Sequence, residues 1–230
     1  MSEAINLFWT GGWDSSYRLF DILLVENRSV QPIYVIESSR KSAARELQAI
    51  DEMKRKLFEK RPELRERVRP MIFRSLTDIR PNPKISEQFL QLKARVDLSG
   101  QYRWLARFAD EAGMIDIELC LTKLPLHEGA ELQLRALMLP DLVGSGHDCR
   151  LRDELTDPDL AIFQYFRFPT IHTSKLEMEH RAIEHGFRDL LALSWFCLAP
   201  VRDLPCGRCY PCSLALSSGR KYDYPFATDH

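Results

Sequence analysis

Apolar and polar positions follow two rhythms along the first half of the chain. Ile5 to Trp9 is a short apolar run ending in Thr10-Gly11-Gly12, the pattern of a buried strand entering a tight turn. Tyr17, Phe20, Leu23 and Leu24 follow at helical spacing. Gln31 to Ile36 reads as a second buried strand. Ala43, Leu47, Ile50, Met53 and Leu57 then recur every three or four residues and predict a helix over 42–60, with Ser42 as its N-cap. Val68 to Phe73 predicts a third strand, in which Pro70 belongs at an end or edge. Helices are predicted at about 86–95 and 102–113, the second closing on Gly113, and a fourth strand over 115–120. Strands alternating with helices imply an α/β fold, a mostly parallel twisted sheet with helices on both faces. Beyond Leu121 the pattern loosens. Helices are predicted near 129–138 and 175–185, the latter ending at Gly186. The Gly-, Asp- and Arg-rich stretch over 144–157 reads as a loop, and its Gly144-Ser145-Gly146-His147-Asp148 part reads as a surface connector or a mobile lid.

Length and charge narrow the function. A chain of 230 residues, 45% hydrophobic, can bury a full core. Its 32 basic and 33 acidic residues leave a net charge of −1, which excludes a polybasic nucleic-acid coat and a highly acidic disordered chain. No apolar run reaches 18 residues, so no transmembrane helix is expected. The N-terminus shows no basic segment followed by an apolar one, so a cytoplasmic location is expected.

Two motifs carry chemistry. The first is the loop Thr10-Gly11-Gly12-Trp13-Asp14-Ser15-Ser16 between the first strand and helix. Amides at a helix N-terminus favour anions, and glycines let the backbone approach a phosphate. Thr10, Ser15 and Ser16 add hydroxyls, while Asp14 would organise the loop or approach a metal ion. The pattern is neither GxxxxGK[ST] nor GxGxxG. The second motif is Cys197, Cys206, Cys209 and Cys212, spaced C-x8-C-x2-C-x2-C. Four thiolates suit a closed tetrahedral zinc site. An iron–sulfur cluster is the main competing assignment, and metal-free thiol pairs come third. His127-Glu128, His172 and His180 show no metal spacing.

Thr10-Gly11-Gly12-Trp13-Asp14-Ser15 resembles the Ser-Gly-Gly-x-Asp-Ser loop of the PP-loop ATP pyrophosphatases, with Thr10 for the first Ser. The cysteine spacing, Ser194-Trp195-Phe196-Cys197, and Ser174-Lys175 followed by Glu177 resemble the 7-cyano-7-deazaguanine synthase family of queuosine biosynthesis. The resemblance implies a Rossmann-like ATP-binding domain over 1–190 and a zinc segment over 191–230. It implies ATP and Mg²⁺ at Thr10, Gly11, Gly12, Asp14, Ser15, Ser16, Ile36 and Arg40, with Asp14, Ser15 and Lys175 as the catalytic set, and Zn²⁺ on the four cysteines. The expected activity is ATP-dependent C–N ligation through an acyl adenylate. The expected partners are a deazapurine carboxylate and ammonia, or a protein or tRNA acceptor, and the expected state is a homodimer. Other readings are a PP-loop tRNA sulfur transferase and an ATP-binding module without catalysis. The family's substrate half is matched less well. Glu37-Ser38-Ser39-Arg40-Lys41, Gln101-Tyr102 and Ile117-Glu118-Leu119-Cys120-Leu121-Thr122-Lys123 depart from its patterns at three places.

Overall fold

The computed structural model describes residues 3–123, 130–217, 222 and 224–227. The opening elements are β1 (Ile5–Phe8), α1 (Trp13–Phe20), β2 (Val30–Ile36), α2 (Ala43–Lys60) and β3 (Ile72–Ser75). α3 (Pro83–Lys93), α4 (Gln101–Glu111), β4 (Ile117–Glu118) and α5 (Ala130–Met138) follow. The chain then forms β5 (Leu142–Val143), β6 (Arg150–Leu151), β7 (Phe166–Arg167), α6 (Lys175–Glu184), α7 (Arg188–Leu191) and α8 (Tyr210–Ser217).

The seven strands form one sheet in the order β3-β2-β1-β4-β7-β6-β5. The β3-β2-β1-β4-β7 portion is parallel, and β7-β6-β5 is antiparallel. Alternation along β1 sends Leu7 to one face and Phe8 to the other. Leu7 joins Trp9, Tyr34, Ile50, Met53 and Phe187 under α1, α2, α6 and α7. Phe8 joins Ile33, Val35, Phe89, Leu105 and Phe166 under α3 and α4. The expected α/β sheet with helices on both faces is present. No described helix is long and apolar enough to cross a membrane.

Several boundaries differ from the sequence pattern, each for a local reason. The third strand begins at Ile72, with Val68 making only an isolated bridge to Val30. Pro70 lies between them and has no N–H for a ladder. Ser42 takes the N-cap position of α2, but its side chain makes no capping bond. Its hydroxyl donates to the Glu46 carboxylate at 2.6 Å instead. The stretch over 144–157 is not one loop, because β6 runs through it and pairs with β5 and β7. The lid reading of its first part fails as well. His147 lies in hydrogen-bonding contact with Glu26 (2.7 Å) and Arg18 (3.0 Å), so it is pinned to the body of the fold. His127 and Glu128, and the first residue of the helix predicted at 129–138, lie outside the described residues.

A buried charge cluster anchors α1 to β4. Arg18 is 1% exposed, and its Nε and Nη2 donate to the two oxygens of Glu118, each at 2.7 Å. Its Nη1 reaches Asp21 at 3.2 Å and also bonds Glu26. Asp21 in turn accepts from Arg181 of α6 at 2.8 Å. Asp21, Glu26 and His147 are close enough together to hold a metal ion, but the Arg18 guanidinium already supplies the cation. Burial alone would raise the Glu26 pKa; hydrogen bonds from His147 and Arg18 outweigh it and bring it to about 2.

Glu118→Ala leaves Arg18 with Asp21 and Glu26 but removes two buried charge-assisted bonds, so it should cost about 2–3 kcal/mol in urea unfolding. A loss under about 1 kcal/mol would show that the pair is not structural. Glu26 has a folded pKa below its ordinary 4.5, so it contributes stability above that pH and loses it as pH falls toward about 2. The urea midpoint of the wild-type chain should therefore fall more steeply over that interval than that of Glu26→Gln. Parallel curves would contradict the assignment.

Candidate functional site

Successive crossovers carry the chain from β1 outward to β2 and β3, and then back past β1 to β4. The carboxyl ends of β1 and β4 therefore diverge into a crevice, the place where ligands bind in open α/β sheets. The glycine loop sits at that point. Gly12 is the residue before α1 and is extended at φ −75°, ψ 164°. The first intrahelical bond there is Ser16 N–H to Gly12 O, so the amides of Trp13, Asp14 and Ser15 belong to the helix's open N-terminal turn.

Gly11 has φ +72°, and a side chain there would meet the Glu46 carbonyl at 2.9 Å. Only glycine lets the loop lie this close to α2. The Ser15 hydroxyl donates to Gly12 O at 3.3 Å and accepts from Thr10 N–H at 3.4 Å, bracing the turn. Ser16 points the other way. It is fully buried, and its hydroxyl accepts from the Trp9 indole at 3.0 Å.

Asp14 faces Lys175 across 3.4 Å. Lys175 is the first residue of α6, whose N-cap Ser174 forms a capping box with Glu177. A second ion pair, Asp21 just past the end of α1 with Arg181, ties the same two helices farther along. Residue numbers rise together in both pairs, so α1 and α6 run in the same direction and both N-termini open on the crevice. The Asp14 Oδ1 atom is buried and has no hydrogen-bond partner among the described residues. An unpaired carboxylate oxygen suits a hard cation such as Mg²⁺. Arg40, just beyond β2, reaches Glu37 and Glu46 at 3.4 Å. Glu46 is itself held by Tyr34 (2.8 Å) and Ser42 (2.6 Å).

Three adjoining cavities share Asp14 and Arg40. The largest, about 640 Å³, also carries Asp97, Ser99, Gln101, Tyr102, Thr122, Lys175 and Leu198. A second, about 150 Å³, lies between the loop and the apolar residues Phe8, Ile33, Val35, Trp104 and Leu119. The third, about 220 Å³, joins Thr10, Gly12 and Lys175 to Trp195 and Cys197. Thr10, Gly12, Asp14, Ser15, Arg40 and Lys175 are thus brought to one cleft. Gly11 shapes the loop from behind, Ser16 faces the core, and Ile36 packs in the layer beneath α2. Sequence reasoning did not single out Asp97, Ser99 and Thr122. The Asp-Leu-Ser-Gly turn before α4 was the available signal for the first two.

Cys120 lines the apolar cavity. Burial, with the charges of Glu118 and Asp14, pushes its thiol well above the ordinary range. That is the opposite of an activated nucleophile.

Cys197, Cys206, Cys209 and Cys212 converge, with all four sulfurs within 4.8 Å of one another. Cys206–Cys212 and Cys197–Cys209 are each 3.9 Å apart. A tetrahedron of 2.3 Å Zn–S bonds sets its sulfurs about 3.8 Å apart. The group can therefore hold a single metal ion. Backbone N–H groups of Cys206 and Cys209 point at the sulfurs of Cys197 (3.2 Å) and Cys206 (3.3 Å). Burial works against thiolate at Cys206, but N–H bonds from Arg208 and Cys209 prevail and lower it to about 6. Burial pushes the Cys197 and Cys212 thiols up instead.

Compared with known proteins, the chain matches no family model and no curated sequence at a significant level.

Elemental analysis of the purified chain should find one metal ion per chain, and Cys209→Ser should lose it while Cys120→Ser retains it. Metal retained in full by Cys209→Ser would contradict the site.

Proposed function

We propose that the chain is an ATP-dependent ligase that forms AMP and pyrophosphate. It adenylates a small carboxylate, 7-carboxy-7-deazaguanine being the acid that the motif resemblance favours, and passes the acyl group to ammonia. The observation that carries this reading is the glycine loop at the sheet's crossover. There an unpaired Asp14 oxygen, Lys175 and two helix N-termini meet at one cleft. Such a place offers amides and positive charge to a polyphosphate and a carboxylate to its Mg²⁺. The apolar cavity between Ile33, Val35 and Trp104 is suited to a flat ring system beside it.

In the reaction, the substrate carboxylate attacks the α-phosphorus of ATP and pyrophosphate leaves. Ammonia then displaces AMP from the acyl adenylate. The chain's own part is placement and charge. The open amides of α1 and the ammonium of Lys175 stabilise the charge that builds on the departing pyrophosphate. Asp14 orients Lys175 and offers its free oxygen to the cation. Bound Mg²⁺ supplies further neutralisation of the phosphates. Asp97, Ser99 and Thr122 line the side of the cleft left for the acid and the amine. No protein nucleophile is required, which fits the raised Cys120 thiol and tells against a sulfur transfer through that residue. The four cysteines take zinc in a structural role, since all four positions of a tetrahedron are filled by protein.

Pyrophosphate release from Mg·ATP with 7-carboxy-7-deazaguanine and ammonium tests the reading. Asp14→Asn and Ser15→Ala should each lower the rate about 100-fold or more while the chain stays folded by circular dichroism. Normal turnover by both variants would remove the loop from the chemistry.

A further inference from the structure

The metal segment and the glycine loop are wired together through one residue. The backbone N–H of Trp195 donates to Gly11 O at 2.8 Å, and its carbonyl lies 3.7 Å from where a Gly12 Cβ would stand. Its indole Nε1 donates to the carbonyl of Cys197, the first cysteine, at 2.8 Å. The ring is 3% exposed, with the Arg45 guanidinium 4.8 Å above it. Arg45 precedes Glu46, the residue whose carbonyl crowds Gly11. Thus Trp195 touches the loop with its backbone and the metal segment with its side chain. Cys197 itself shares a cavity with Thr10, Gly12 and Lys175.

The geometry has a consequence for the loop. In a trans peptide the C=O and the following N–H point in opposite directions. Fixing the Gly11 carbonyl toward Trp195 turns the Gly12 N–H away from it. Gly11 is left-handed at φ +72°, and glycine tolerates either orientation of that peptide. The bond from Trp195 selects one.

We infer that Trp195 is a positioning residue that couples metal held by the four cysteines to the anion-binding conformation of the loop, so that occupancy of either site tightens the other. This rests on the loop being an ATP site. Coupling between two ligands is reciprocal, so it can be read at the metal without measuring turnover.

The test is the zinc affinity of the protein, measured at equilibrium by competition with a chromogenic chelator, with and without saturating Mg·ATP. In the wild type, Mg·ATP should tighten zinc binding at least about 3-fold, the scale of one hydrogen bond. Trp195→Phe keeps an aromatic ring but not the indole donor. It should retain one zinc per chain, bind Mg·ATP about 3- to 10-fold more weakly, and lose the tightening. The wild-type comparison needs no variant, so a poorly folded Trp195→Phe leaves the test standing. If Mg·ATP binds but zinc affinity is indifferent to it, the coupling is overturned and the ATP reading survives. If the wild type binds no Mg·ATP, both fall.

Discussion

The strand order around β1 is the constraint on which the rest depends. β2 and β3 lie on one side of it and β4 on the other, so the chain must leave β1 in one direction and later return past it. No crossover can cover the point of reversal, and a crevice opens there. What fills its floor follows from the turn out of β1. Gly11 takes a left-handed conformation against α2, Gly12 leads into α1, and the helix's first amides face the opening. The buried Arg18–Glu118 pair then locks α1 to β4, so both walls of the crevice are fixed to each other.

That lock also decides what the cleft is lined with. Glu118, the carboxylate at the end of β4, is committed to Arg18 and faces the α1 layer. The polar groups on the far side of the cleft come from elsewhere, from Asp97 and Ser99 before α4 and Thr122 after β4. The polar lining away from the glycine loop is therefore built on turns, while the loop itself rests on the sheet and two helices. Such a division lets the lining on the turns change while the loop stays intact.

Much of this was legible in the sequence, and the failures are local. The loop, its strand and its helix are contiguous, so spacing alone located them, and the four cysteines lie in one short segment. β5, β6 and β7 were harder, because each is only two residues long and periodicity needs several turns of pattern to register. Ser42 had the residue type of a cap but spent its hydroxyl on Glu46, a partner four residues away that no local rule favours over the backbone. The pairing of Asp14 with Lys175 spans most of the chain and depends on α1 and α6 lying side by side. The tie from Trp195 to Gly11 is a backbone contact, and no residue type announces it.

The central claim is that this cleft breaks ATP between its α- and β-phosphates. Phosphorus NMR of ATP turned over by the zinc-loaded protein with Mg²⁺, 7-carboxy-7-deazaguanine and ammonium tests it directly. The account predicts AMP and pyrophosphate in equal amounts. ADP with inorganic phosphate, or ATP left unchanged, would contradict it.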